Sequence, residues 1–209
     1  MNFLRLRLLC VLAVLAVVLP MMTVVSGLAQ GSERVHLHLD PATSEVHFTL
    51  KDTLHTVHGS FRLSAGDIVF NPKSGEAQGK ISVETGSGAS GNDTRDGRMK
   101  REYLNVGKFP VAEFEPQKVT GFDAGVSVQK IVVAGNLILL GDSHAMTLEF
   151  ELSQTGKQAA AIAHFMIPYV AWGIKDPSIP FVKVEKQVAI DVVAKGSLSS
   201  ENQAAVSSN

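Results

Sequence analysis

The 209-residue sequence contains a single cysteine, Cys10, which lies in an apolar run near the N-terminus. A mature chain that has lost this run on export can form no disulfide and has no cysteine nucleophile. The chain also lacks a strong charge of either sign, because 19 basic residues nearly balance 20 acidic ones. Such a chain lacks the excess of basic residues that is typical of nucleic-acid-binding proteins, and we expect no nucleic-acid partner.

Local catalytic motifs are absent as well. The sequence shows no nucleophile elbow, no phosphate-binding glycine loop and no zinc-protease helix. The pair Gly86-x-Gly88 is preceded by no dinucleotide-binding unit, so it does not indicate a nucleotide site. We therefore predict no catalytic residues and no cofactor, and we expect a protein that is not an enzyme.

The N-terminus has the layout of a secretory signal peptide. Arg5 and Arg7 precede the apolar run Leu8 to Leu19, and Pro20 and the small-residue stretch Gly27-Leu28-Ala29 follow it. We predict that residues 1–29 are a cleaved signal and that the protein is periplasmic or secreted. The alternative is an uncleaved N-terminal membrane anchor, because apolar character continues past the proline and a spanning helix needs about 20 such residues.

Removal of residues 1–29 leaves about 180 residues, enough for one well-packed domain without disulfides. The remaining 17 basic and 20 acidic residues give a net charge of −3. We predict one domain over residues 33–198. Residues 199–209 are small and polar, and we expect them to form a disordered tail.

Apolar residues recur at every second position through most of this domain, as in Val46-x-Phe48-x-Leu50 and Met146-x-Leu148-x-Phe150-x-Leu152. This period is typical of strands with one buried face. Turn signals such as Asn71 to Gly75 and Ser153 to Lys157 separate the runs at hairpin spacings. Many short strands without repeated helices predict an all-β sandwich or barrel.

Three stretches depart from the alternation. The segment Thr94 to Leu104 predicts a short helix, capped by Asn92, Asp93 or Thr94, before Pro110 returns the chain to a strand. The segment Gly86 to Gly91 predicts a flexible lead into that helix and thus a mobile lid or rim at one end of the barrel. The run Ala159 to Ala171 is apolar at nearly every position, which predicts a strand covered on both faces.

Several of these residues together resemble the YceI-like family of bacterial lipid-binding proteins, over roughly Val35 to Lys195. The matching pieces are Asp40 with Ser44-x-Val46-x-Phe48, His58-Gly59-x-Phe61, Arg95-Asp96 with the helix and Phe109-Pro110-Val111-Ala112-Glu113-Phe114, and Gly135-Asn136-Leu137 with Leu140-Gly141. One departure is Pro168 to Ile174, where many members carry a charged residue before a Phe-Gly.

The resemblance implies an extended antiparallel lipocalin-like barrel of about eight strands with a short helical insert. It also implies an apolar tunnel that takes a polyisoprenoid or a similar amphiphile, such as a quinone or a polyprenyl phosphate. The candidate tunnel residues are Phe48, Leu50, Phe61, Val83, Phe114, Leu137, Leu148, Phe150, Phe165 and Trp172. Rim contacts to a polar headgroup are expected from Arg95, Asp96 and Arg98.

Each assignment has a plainer alternative. The apolar residues could be ordinary core, Arg95 and Asp96 could tie the helix to the barrel, and Trp172 could be a corner anchor. The whole chain could then be a non-catalytic envelope interaction or structural protein with a filled barrel. Transient contact with a membrane or an envelope protein and a homodimer remain open as partners.

The histidines raise the question of a metal site. His36 and His38 share a strand face, and His47 could lie across from them on the neighbouring strand. A mononuclear site needs three or four ligands held by fixed partners, which this spacing does not supply. We therefore interpret the histidines as solvent-facing and predict no metal.

Overall fold

A computed structural model of the chain describes residues 33–202. The predicted signal peptide, residues 1–29, and residues 203–209 lie outside the described residues. Within the described part the elements are the strands β1 (Glu33–Leu39), β2 (Glu45–Lys51), β3 (Thr56–Phe70), β4 (Ala77–Ala89), the helix α1 (Asp93–Arg98) with a π-helical turn (Met99–Tyr103), and the strands β5 (Val111–Thr120), β6 (Val128–Leu139), β7 (Asp142–Thr155), β8 (Gln158–Ile167) and β9 (Val188–Asn202).

The strands form one closed antiparallel barrel, as the sequence and the family resemblance predict. Strands β3 to β9 follow one another as a meander, each paired with the next. Strand β2 pairs with the first half of β3 and of β9, where Phe48 lies opposite Gly59 and Ile190. Strand β1 pairs with their second halves, where Leu37 lies opposite Ile68 and Leu198. Strands β1 and β2 therefore share one position, and nine strands fill eight positions.

The break between β1 and β2 depends on two residues of the family pattern. The Asp40 carboxylate accepts hydrogen bonds from the Ala42 backbone N–H and the Thr43 hydroxyl, both at 2.9 Å. The Ser44 hydroxyl then exchanges hydrogen bonds with the backbone of Lys195 in β9. Because the Asp40 side chain bonds the polar groups of the turn, the chain can leave the sheet after β1 and pair with it again in β2.

The two ends of the barrel differ. At one end, called here the core end, Val35, Ile68, Phe70, Val119 and Val133 form a packed cluster, and Phe70 meets Phe122 edge to face at 5.0 Å. At the other end, called here the loop end, four connections join the strands: residues 52–55, 90–110, 140–141 and 168–187. A second cluster, of Val46, Phe48 and Ile190, lies in the half of the barrel nearer the loop end.

Two predictions about strand ends are wrong. Strand β4 runs through Ala89, which is paired with Ser60, so most of the Gly86–Gly91 segment is strand rather than a flexible lead. Strand β9 runs through Asn202, so residues 199–202 are not a tail. Residues 199–202 pair with β1 through backbone hydrogen bonds. Small polar side chains do not prevent such bonds, so their composition did not exclude a strand.

The prediction that Ala159 to Ala171 is a strand covered on both faces is also wrong. Strand β8 ends at Ile167, before Pro168, and its outward residues Ile162 and Met166 are exposed. A closed barrel buries only one face of each strand, so the second apolar row of β8 has nothing to cover it.

Across residues 33–202, none of the helices has the length and apolar character needed to span a membrane.

Candidate functional site

The half of the barrel nearer the loop end encloses a cavity of about 440 Å³. Its wall is built from the inward row of alternating strand residues. Nine of the ten residues predicted to line a tunnel are in this wall: Phe48, Leu50, Phe61, Val83, Phe114, Leu137, Leu148, Phe150 and Phe165. Within each strand these residues lie two apart, so their side chains share the inward face.

The same pattern extends to lining residues that were not predicted. Ala112, Leu139 and Met146 each lie two residues from a predicted lining residue and also face the cavity. Ile174 and Val184 line it as well, but they lie in the 168–187 connection, where no periodicity marks an inward side. Only a search along each strand from a known inward residue could have found the first group.

The short helical insert closes part of the loop end. Its N-terminus is capped by Asn92, whose side-chain oxygen accepts a hydrogen bond from the Arg95 N–H at 3.0 Å. Met99 and Tyr103, four residues apart, both line the cavity. Gly88 makes this approach possible, since a Cβ there would lie 2.6 Å from the Met99 Cε atom. The predicted helix is confirmed, and its apolar side faces the barrel interior.

Ser90, Arg95 and Asp96 form one hydrogen-bonded cluster between the end of β4 and the helix. The Asp96 carboxylate is 6% exposed and accepts hydrogen bonds from the Ser90 hydroxyl and from the Ser90 N–H at 2.9 Å. Arg95 donates from Nε to the Ser90 hydroxyl and from Nη2 to the Ser90 carbonyl, both at 2.8 Å. These contacts fit the alternative in which both residues tie the helix to the barrel. Arg95 lies in the cavity wall and Asp96 does not.

The environment of Asp96 keeps its carboxylate charged. Burial raises the pKa of Asp96, but the hydrogen bonds from Ser90 and the charges of Arg95 and Lys100 lower it by more. The net pKa therefore lies below the ordinary value for aspartate. An ionised, fully bonded Asp96 acts as a fixed anchor for the insert.

Arg98 is the third predicted rim residue and lies in the cavity wall. Its Nε donates to the Glu102 carboxylate at 3.0 Å, and its guanidinium lies 5.8 Å from the centre of the Tyr103 ring. Half of its side chain is exposed. Arg98 thus places a cation where the apolar cavity meets the loop end.

The prediction that Trp172 lines the tunnel is wrong. Its ring stacks on His144 at 3.9 Å and 4° between planes, and it is absent from the cavity wall. The chain turns at Gly173, with φ +90°, so that Ile174 rather than Trp172 faces the cavity. Trp172 is a corner anchor over the start of β7, as its alternative interpretation proposes.

Tyr169, three residues before Trp172 in the same connection, does reach the cavity wall. It is buried, and its hydroxyl donates to the Glu185 carbonyl at 2.6 Å. Burial, followed by the nearby Asp176 and Tyr103, raises the pKa of Tyr169 to about 12. The hydrogen bond joins the two ends of the 168–187 connection, close to the point where Ile167 of β8 pairs with Val188 of β9.

Several of the histidines pair with carboxylates on the outer surface, whereas His58 bonds the Thr49 hydroxyl and His144 stacks on Trp172. His38 contacts Asp67 at 2.6 Å and His47 contacts Glu45 at 2.9 Å. The expectation that His47 lies across from β1 is wrong, because β2 follows β1 end to end instead of beside it. No three His, Cys, Asp or Glu side chains within residues 33–202 come together in a group able to hold a metal ion.

Comparison with known sequences gives a family and several relatives. The YceI-like domain model matches residues 37–195. A UPF0312 protein of Yersinia enterocolitica is 32% identical over 102 residues, which cover 48% of this chain and 50% of that protein. A UPF0312 protein of Yersinia pestis strain Pestoides F is 33% identical over the same length, with the same coverage. The chain thus spans about half the length of the curated relatives it matches.

Comparison with solved structures shows the same fold. BcnA of Burkholderia cenocepacia superposes with a TM-score of 0.62 at 21% identity, covering 75% of this chain and 98% of BcnA. A polyisoprenoid-binding domain from Saccharophagus degradans gives 0.61 at 17% identity, covering 78% and 98%. The YCEI protein of Campylobacter jejuni gives 0.56 at 18% identity, covering 69% and 86%. Because the domain model spans most of the described barrel, the chain belongs to the YceI-like family.

Proposed function

We propose that this protein binds one isoprenoid-type lipid, with the hydrocarbon tail held inside the barrel. The observation that supports this is the cavity of about 440 Å³ in the loop-end half, with its apolar wall. Small-molecule sites commonly measure about 300–1,000 Å³ and are mostly apolar. A tail in such a site gains roughly 0.8 kcal/mol for each buried methylene, so few polar contacts are needed.

The cavity favours a carrier over a barrel filled by its own side chains. The packed cluster around Phe70 blocks the core end, so a tail would point toward that cluster and its headgroup toward the loop end. Arg98 uses Nε for its bond to Glu102, which leaves its terminal amino groups to donate to a phosphate or quinone oxygen. Arg95 is committed to Ser90 and would contribute mainly its charge.

A binding role without catalysis is part of the same proposal. The ionisable groups in the described cavity wall are Glu45, Asp52, Arg95, Arg98, Tyr103 and Tyr169. Arg95 and Asp52 of this set are held by local hydrogen bonds, Arg98 pairs with Glu102, and an apolar wall surrounds the whole set. The likeness to a polyisoprenoid-binding domain of Saccharophagus degradans agrees with a binding role.

We further propose that the mature protein acts in the periplasm or outside the cell, on the basis of the signal-like N-terminus. A mass for the exported chain that begins near residue 30 would support cleavage. A membrane-bound chain that keeps residues 1–29 would support the alternative anchor.

The test is native mass spectrometry of the mature chain purified from its own exported fraction, followed by solvent extraction and mass analysis of what is released. A stoichiometric prenyl-type mass is expected. A ligand-free protein that also fails to take up quinones and polyprenyl phosphates would contradict the proposal and favour the filled-barrel interaction protein.

A further inference from the structure

The loop end carries an exposed apolar tip. Residues 179–182 form a tight hairpin in which Ile179 and Val182 exchange backbone hydrogen bonds at 3.0 and 3.1 Å. Phe181, at its apex, is 94% exposed, and Ile179 is 54% exposed. Leu54, in the neighbouring 52–55 turn, is 65% exposed. Solvent-exposed phenylalanine at this level is unusual, because burying the ring is favourable wherever a partner exists.

The two connections that carry these side chains are joined to each other. The Thr53 N–H donates to the Lys183 carbonyl at 2.9 Å, and the Lys183 N–H donates to the Thr53 hydroxyl at 3.0 Å. Asp52 and Val184 form an isolated antiparallel bridge beside them. Leu54, Ile179 and Phe181 therefore project from one connected surface, which we call the apolar tip.

The backbone of Phe181 is also unusual. Pro180 takes the first central position of the turn, and Phe181 takes the second with φ +71°. That arrangement corresponds to a type II turn, in which glycine or asparagine normally takes the second position. A bulky residue with positive φ is strained, and neither the turn nor the core accounts for phenylalanine here.

The charge around the apolar tip differs from the rest of the domain. The four loop-end connections carry eight basic and six acidic side chains, whereas the other described residues carry nine basic and fourteen acidic ones. Three of the basic residues, Lys175, Lys183 and Lys186, flank the hairpin and are exposed. The loop end is thus net positive on a domain that is net negative.

The apolar tip is carried by connections that also line the cavity. Asp52, Pro177 and Val184 lie in the same two connections and line the cavity. The charge of Lys175 in the 168–187 connection also lowers the pKa of Glu102 in the helical insert, so the connection passes near the helix at this end. A surface that touched the apolar tip would lie beside the loop end of the cavity.

We propose that the apolar tip docks the protein on a lipid bilayer that carries anionic headgroups. Phe181, Ile179 and Leu54 would enter the interface, while the flanking lysines would contact lipid phosphates, as in other peripheral proteins. Three side chains are too few for a protein interface, which commonly buries at least about 1,000 Å². The purpose of docking, exchange of a lipid between bilayer and cavity, rests on the proposed function.

The test measures binding of the purified mature chain to vesicles of phosphatidylcholine alone and of phosphatidylcholine with phosphatidylglycerol. We expect binding to the anionic vesicles that weakens with salt. Phe181→Gly should reduce that binding roughly tenfold or more through the lost apolar burial, and its melting temperature should not fall, because glycine accepts a positive φ. Val128→Ser is the matched control, since Val128 is 61% exposed at the core end.

Several results would overturn docking. These are a wild-type chain that binds neither vesicle, a Phe181→Gly variant that binds like wild type, and a Val128→Ser variant that loses as much binding as Phe181→Gly. Lipid extraction from the same preparations separates this inference from the proposed function. If lipid is extracted from the cavity but vesicle binding does not depend on Phe181, only the docking proposal is rejected. If vesicle binding depends on Phe181 but no lipid is ever extracted, only the cavity proposal is rejected.

Discussion

The ring of Phe48 lies over Gly59, the residue directly opposite it on the neighbouring strand. A Cβ atom built on Gly59 would lie 2.3 Å from the Phe48 Cζ atom and 2.6 Å from the Ala89 carbonyl oxygen. Phe48 is buried, packs against Phe61 at 5.3 Å and faces the cavity. The missing side chain of Gly59 therefore determines where one wall of the cavity stands.

The substitution Gly59→Ala should force Phe48 out of this position and strain the strand pair. We expect the free energy of unfolding to fall by about 1–3 kcal/mol, as for other overpacked cores. Gly86→Ala is the matched control, because a Cβ at Gly86 in strand β4 meets nothing within 4 Å. Denaturant unfolding of both variants checks the prediction, and an equal loss in the two would contradict it.

The cavity can be filled from one wall without disturbing the core end. Ala112 in β5 lines the cavity opposite Val83. Ala112→Phe should leave the domain folded but remove most of the extractable lipid, because the ring would occupy the tail's space. Ala145→Phe is the control, since Ala145 is exposed on the outer face of β7. A folded Ala112→Phe protein with full lipid stoichiometry would show that the lipid lies elsewhere.

Arg98 should contribute to binding of the lipid headgroup and not to binding of the tail. Arg98→Gln removes a charge from the cavity wall, so we expect affinity for a polyprenyl phosphate to fall by about 1.5–3 kcal/mol, the typical worth of a hydrogen bond to a charged group. Affinity for a neutral quinone should change less. Arg101→Gln changes the same residue type in the same insert outside the cavity wall. Fluorescence competition titrations compare the two, and equal losses would reject the headgroup role.

The site was predictable where it depends on strand period and unpredictable where it depends on connections. Alternation places Phe48 and Phe150 on one face of their strands, and the family resemblance indicates that this face is the interior. Trp172 was misplaced because a glycine turn, not a period, decides which side chain of 168–187 faces inward. Phe181 carries no local pattern, since its exposure follows from the path of the hairpin past the 52–55 turn.

Asp96 should make the stability of the domain depend on pH in the acid range. Its folded pKa is lowered, so the stability that it contributes is complete above the unfolded value of 3.8 and is lost as the pH falls through the lower folded pKa. Asp96→Asn should therefore be less stable than wild type near neutral pH, and the difference should shrink in acid. Denaturation midpoints measured across this range check the prediction. Asp93→Asn, an exposed change in the same helix, should show no comparable convergence.

Tyr169 should make the stability of the domain depend on pH in the alkaline range. Its pKa is raised from 10.0 to about 12, so its contribution is fully present below pH 10 and is lost as the pH rises through 12. A shift of this size corresponds to about 2–3 kcal/mol between the two protonation states. The stability of wild type should fall across this interval, and Tyr169→Phe should flatten the fall while losing the hydrogen bond to the Glu185 carbonyl.

The two tyrosines of the chain, Tyr103 and Tyr169, allow the Tyr169 pKa to be measured directly. In a Tyr103→Phe protein the ultraviolet titration of tyrosinate reports Tyr169 alone. Burial is the largest cause of the raised pKa and remains in this variant, so the midpoint should stay well above 10. A midpoint near 10 in the folded protein would mean that the 168–187 connection leaves Tyr169 open to solvent.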